Sequence, residues 1–95
     1  ALETSVKYLS VDLGDQDVRV NAISAGPMRT LAGAAIANAR DVFNYTSKNS
    51  SLKRKVNLDE LGNSALYLVS DLSSAITGEI HYVDCGFNII GMPKS

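Results

Sequence analysis

Residues 17–30, DVRVNAISAGPMRT, restrict this chain more than any other stretch. Val18, Val20 and Ala22 alternate with Arg19, Asn21 and Ile23. A short β-branched run bounded by turn residues predicts a strand. Ala25, Gly26 and Pro27 then end it, because glycine admits close backbone approach while proline fixes φ and removes a donor. Thr30 follows as a plausible N-cap for the next helix. This order places a small-residue turn and a hydroxyl at the carboxyl end of a strand, where open α/β sheets bind ligands.

The flanking patterns extend that reading. Leu2, Val6, Leu9 and Leu13 recur at helical spacing and predict an inward face, with Tyr8 and Val11 on a second face. Gly14 is expected to end this helix, and Asp15, Gln16 and Asp17 to form the turn into the strand. A helix followed by a strand is half of a βαβ unit, so more sheet is expected upstream of Ala1. Leu31 to Ala39 is alanine-rich and predicts a weakly anchored helix, with a second short helix over 40–45 and loop over 46–51.

Asn57 with Glu60 three residues later reads as a capping box opening a helix to Asp71. Its expected inward stripe is Leu58, Leu61, Ala65, Leu68, Val69 and Leu72. Glu79 to Val83 predicts a second strand, ended by Asp84, Cys85 and Gly86, with an apolar tail over 87–91. Two strands alone do not make a stable sheet, so the segment needs sheet from elsewhere.

Composition excludes several functions. With a net charge of -1, and LysArgLys at 53–55 as the densest basic run, no nucleic-acid surface is expected. No apolar run approaches the roughly 18 residues of a membrane span. Asp12, Asp15, Asp17 and Asp71 lack metal-ligand spacing, so no metal is expected. The single histidine, His81, and the single cysteine, Cys85, read as structural. One cysteine fits a reducing compartment, and a cytoplasmic location is expected. The chain opens inside a helical pattern without methionine or a secretion signal, as expected of a processed product or fragment.

The runs RVNAISAGPMRTLA and DELGNSALYLVSDLSSAITGEIHYVDCGF resemble the C-terminal part of the short-chain dehydrogenase/reductase family. The form Ser-Ala-Gly-Pro-Met-Arg-Thr at 24–30, where most members carry Asn-Pro-Gly, resembles the bacterial NADH-dependent enoyl-acyl-carrier-protein reductase branch. The resemblance implies an α/β fold, the C-terminal portion of a Rossmann-like doubly wound parallel sheet that is incomplete in this chain. It implies one domain part over 1–95, with a substrate-binding segment at about 31–45. It also implies NADH/NAD as cofactor, an enoyl thioester on acyl carrier protein as substrate, and a homotetramer.

The family's glycine-rich loop and its catalytic tyrosine and lysine lie upstream, so no catalytic residue is expected in this chain. Carried over by motif, Ala25, Gly26, Pro27, Met28, Arg29, Thr30, Leu31 and Ala32 line the cofactor. The Met28 backbone would meet the nicotinamide carboxamide and the Thr30 hydroxyl the pyrophosphate. Ala32, Gly33, Ile36, Ala39 and Val42 would line the substrate pocket, with Leu31 to Asn38 ordering on cofactor binding. Gly33 and Ala39 depart from the family's usual alanine and aromatic, which changes the pocket wall. Two alternatives stand beside this reading: a short-chain reductase of 3-oxo substrates, and a non-catalytic piece docking on intact subunits through 1–13 and 79–90.

Overall fold

The computed structural model describes residues 1–26 and 47–90. Helix α1 (Leu2–Leu13) leads through a 3-10 turn into strand β1 (Ala22–Ala25). Helix α2 (Leu58–Val69), a second 3-10 turn (Asp71–Ser73), strand β2 (Ile80–Val83) and a last 3-10 turn (Phe87–Ile89) complete the described elements. β1 and β2 are parallel neighbours, with Ala22 opposite Ile80 and Ala25 opposite Val83. Parallel neighbours require a long crossover, and α2 lies within it.

The inward face of α1 is not the expected one. Val6 and Ser10 are buried and Leu13 half-buried, whereas Leu2 and Leu9 are exposed. Ser10 is buried against Gly78, a left-handed glycine at φ 72°. A Cβ there would lie 2.9 Å from the Ser10 Oγ. The helix therefore meets backbone at that point, and a serine fits where a leucine would collide. The Ser10 hydroxyl is satisfied by donating to the Lys7 carbonyl at 2.7 Å.

Gly14 ends the helix as expected, in a right-handed conformation that begins the 3-10 turn. Asp17, at φ 58°, takes the left-handed position and donates its N–H to the Gly14 carbonyl. Aspartate tolerates that region better than most side chains.

β1 starts at Ala22, later than the expected Val18, because residues 19–21 bond to a loop before pairing begins. The Arg19 guanidinium donates to the carbonyls of Ser70, Ser73 and Ile76 at 2.7–3.2 Å, and to the Ser73 hydroxyl. Asn21 donates to the Ile76 carbonyl and accepts from the Glu79 N–H. The Val20 N–H donates to the Thr77 hydroxyl, and the Val20 carbonyl accepts from Gly78. This clamp sets the height of the first strand against the second.

The capping box of α2 is present in full: the Asn57 side chain accepts from the Glu60 N–H, and the Glu60 carboxylate accepts from the Asn57 N–H. The helix ends at Val69, because the Ser70 backbone is extended. Leu68 is buried, and Leu61 and Ala65 are half-buried, as the periodicity predicts. Leu58, Val69 and Leu72, expected inward, are instead exposed, together with Leu66. The helix thus carries one apolar face against the described chain and a second one turned away from it. Residues 47–49 are helical rather than loop, and Asn49 and Ser50 are almost fully buried. Among the described residues, no helix is long and apolar enough to cross a membrane.

Candidate functional site

Both strands run in the same direction and end at the same edge. Beyond that edge the backbones come unusually close. The Gly26 N–H donates to the Val83 carbonyl at 2.8 Å. A Cβ on Gly26 would lie 2.7 Å from the Asp84 Cα and 3.2 Å from the Val56 Cγ2. Only glycine permits this approach, which explains the residue at the exit of β1. Ala25, the last strand residue, is exposed at the edge.

The turn after β2 is built around Asp84, which is 8% exposed. Its carboxylate oxygens accept from the N–H groups of Gly86 and Asn88, each at 3.0 Å. Cys85 and Gly86 are consecutive left-handed residues, at φ 55° and 85°. A Cβ on Gly86 would lie 2.6 Å from the Ser51 Cβ. The Leu52 N–H donates to the Cys85 carbonyl at 2.9 Å. Periodicity marks Asp84 only as the end of a strand. What singles it out is its burial, and a turn-forming acid gives no sequence signal of burial.

A cleft of about 430 Å³ opens beside this turn, lined by residues including Leu52, Arg54, Val56, Tyr82 and Cys85. At its rim Arg54 and Glu60 form a two-pronged ion pair at 2.7 and 2.8 Å. The hydrogen bond from Arg54, followed by that from the Asn57 N–H, pulls the Glu60 carboxyl down to about 2. The same bond, with the nearby Cys85, raises the Arg54 guanidinium. His81 lies away from this edge chemistry, 3.7 Å from the Glu79 carboxylate and tilted against the Tyr67 ring. Among the described residues no three acids, histidines or cysteines are grouped as a metal would need.

Of the residues expected to line a cofactor, Ala25 and Gly26 are placed at the carboxyl edge of the parallel pair. Pro27, Met28, Arg29, Thr30, Leu31 and Ala32 lie outside the described residues, as do Gly33, Ile36, Ala39 and Val42. At the exit of β1 the exposed Ala25 is followed by Gly26, whose missing side chain lets the Asp84 backbone close on it.

The family model for enoyl-(acyl carrier protein) reductase matches residues 1–88. The chain is 60% identical over 93 residues to enoyl-[acyl-carrier-protein] reductase [NADH] 2 of Rhizobium meliloti, covering 98% of this chain and 35% of that protein. It is 52% identical over 94 residues to the corresponding enzyme of Rickettsia typhi, covering 99% of this chain and 36% of that one. Among solved structures, FabI from Candidatus Liberibacter asiaticus superposes with a TM-score of 0.91 at 62% identity, over 99% of this chain and 36% of its own. The Anaplasma phagocytophilum reductase in complex with NAD also gives 0.91, at 53% identity, over 100% of this chain and 36% of its own. The described α/β architecture is part of the fold of those enzymes, and the chain spans about a third of their length. By the match over residues 1–88, this chain belongs to the enoyl-(acyl carrier protein) reductase family.

Proposed function

We propose that this chain is the C-terminal part of an NADH-dependent enoyl-acyl-carrier-protein reductase, which reduces the trans-2 double bond of an acyl thioester in fatty acid synthesis. The observation that carries the reading is identity of 60% to an enzyme of that name along nearly the whole chain. It is supported by the place of Ala25 and Gly26 at the carboxyl edge of the parallel pair.

In this reading NADH supplies the hydride when bound. The chain's own residues bind and orient. The 25–32 wall holds the nicotinamide end, through the Met28 backbone and the Thr30 hydroxyl. Residues Ala32, Gly33, Ile36, Ala39 and Val42 face the acyl chain. Reduction at the β carbon leaves negative charge on the thioester oxygen, which needs a donor positioned in advance. That donor belongs to sequence outside this chain, so the 95 residues alone are expected to be inactive. The partners are an enoyl thioester on acyl carrier protein and the N-terminal part of the same enzyme. The assembly is a homotetramer in the cytoplasm.

The test is a chimera in which this chain replaces the matching third of the Rhizobium meliloti enzyme. Oxidation of NADH with a 2-enoyl thioester, and not with a 3-oxo thioester, is expected, with NADPH run in parallel. Turnover of the 3-oxo substrate alone, or of neither, overturns the proposal.

A further inference from the structure

Residues 26 and 47–56 flank the stretch 27–46, and both flanks rest on one turn. On one side Gly26 abuts the Asp84 backbone and donates to the Val83 carbonyl. On the other, Leu52 donates to the Cys85 carbonyl, and Ser51 packs against Gly86. Val56 also touches the Gly26 position, so the two flanks meet each other as well.

The shape of that turn is not one the chain adopts freely. Cys85 at φ 55° carries a side chain in the left-handed region, which L residues other than glycine, asparagine and aspartate seldom adopt. The buried Asp84 carboxylate offsets this by accepting from two N–H groups further along the turn. Bonds to a charged acceptor are stronger than neutral ones. A carboxylate is suited to the task because it accepts on both oxygens. An asparagine would turn its amide donors toward one of the two N–H groups.

We propose that Asp84 is a positioning residue. Its carboxylate holds the turn over 84–88 in the form that sets the positions of Gly26 on one side and of Ser51 and Leu52 on the other, the described flanks of the stretch proposed to bind cofactor and substrate. The inference rests on the proposed function for what that stretch binds. One side chain thereby fixes both described flanks of that stretch, so cofactor and substrate affinity depend on it together.

The experiment places Asp84→Asn and Asp84→Ala in the chimera and compares amide hydrogen exchange with steady-state kinetics. In Asp84→Asn the Gly26 and Leu52 amides are expected to exchange about tenfold faster, alongside Gly86 and Asn88. KM for NADH and for the enoyl thioester should each rise roughly tenfold, with kcat within about twofold. A merely structural role would lower the active fraction and the melting temperature without moving either KM. Faster exchange confined to Gly86 and Asn88, or unchanged KM values, overturns the proposal. Should Asp84→Ala fail to fold, Asp84→Asn, which keeps the shape, still gives the reading. Failure of the proposed function shows separately, as absent turnover of a 2-enoyl thioester by the unsubstituted chimera.

Discussion

Replacing Arg19 by methionine keeps most of the stem and removes the guanidinium that closes the end of α2. The group donates to the Ser73 carbonyl at 2.7 Å, the Ser73 hydroxyl at 3.0 Å, and the Ile76 and Ser70 carbonyls at 3.2 Å. Each of those carbonyls keeps another donor: Ile76 N–H for Ser73, the Asn21 amide for Ile76, and Ser73 N–H for Ser70. The substitution therefore leaves no carbonyl orphaned, and the loss is that of the charged donor alone. A hydrogen bond to a charged group is worth about 1.5–3 kcal/mol net. Four that share one side chain fall well short of additive. Loss of a cation near a helix C-terminus adds roughly 0.3–1 kcal/mol. The expected cost is about 3 kcal/mol for Arg19→Met and about half that for Arg19→Lys, which keeps the charge but not the fork. For a chain of the chimera's size this corresponds to a fall in melting temperature of roughly 6–12 °C for methionine. Thermal unfolding of the chimera, checked by urea midpoint, measures it. Equal losses for lysine and methionine, or less than about 1 kcal/mol for methionine, would refute the idea that charge-to-carbonyl bonding holds this corner.

Three further outcomes are expected. Gly26→Ala should cost roughly 1–3 kcal/mol, because its Cβ would lie 2.7 Å from the Asp84 backbone and must push the strand ends apart; urea denaturation of the chimera checks it. Asn57→Ala should destabilise by about 1 kcal/mol through loss of the cap on α2, with faster exchange at the Glu60 amide as the local signature. Glu60 has a folded pKa near 2 against an ordinary 4.5, so its contribution is complete above about 4.5 and is lost as pH falls toward 2. The helix start should fray across that window by amide exchange, and Glu60→Gln should abolish the pH dependence.

The sequence made some of this legible because the determinants are local. The Asn57–Glu60 capping box needs only three residues of spacing, and it forms as read. The parallel strands follow from β-branched runs separated by a helical stretch, and their carboxyl-edge turns follow from Gly26 and Gly86. Other features depend on what each element meets. Ser10 rather than Leu9 faces inward, where Gly78 approaches α1 with backbone alone. Leu58, Leu66, Val69 and Leu72 are apolar as a core stripe would be, yet the described chain offers nothing to cover them. Periodicity reports that a face is apolar, not which partner it awaits. Asp84 reads as a turn acid, and its burial comes with the close approach of Gly26, 58 residues earlier in the chain.

The clamp at the start of β1 also bears on how the molecule comes into being. Arg19 finds its acceptors 51 to 57 residues later in the chain, and Asn21 its donor 58 residues later. Until the ribosome has released residues 70–83, the first strand has neither its clamp nor its parallel neighbour. Contacts so distant in sequence form slowly, because the loop between them must close before they repay its entropy. Of the two described strands, the later one thus locks the register of the earlier, and the carboxyl edge takes shape only once residues 80–83 have been made. Nascent chains stopped before Ile80 would present an unpaired β1 edge, a surface suited to chaperone capture.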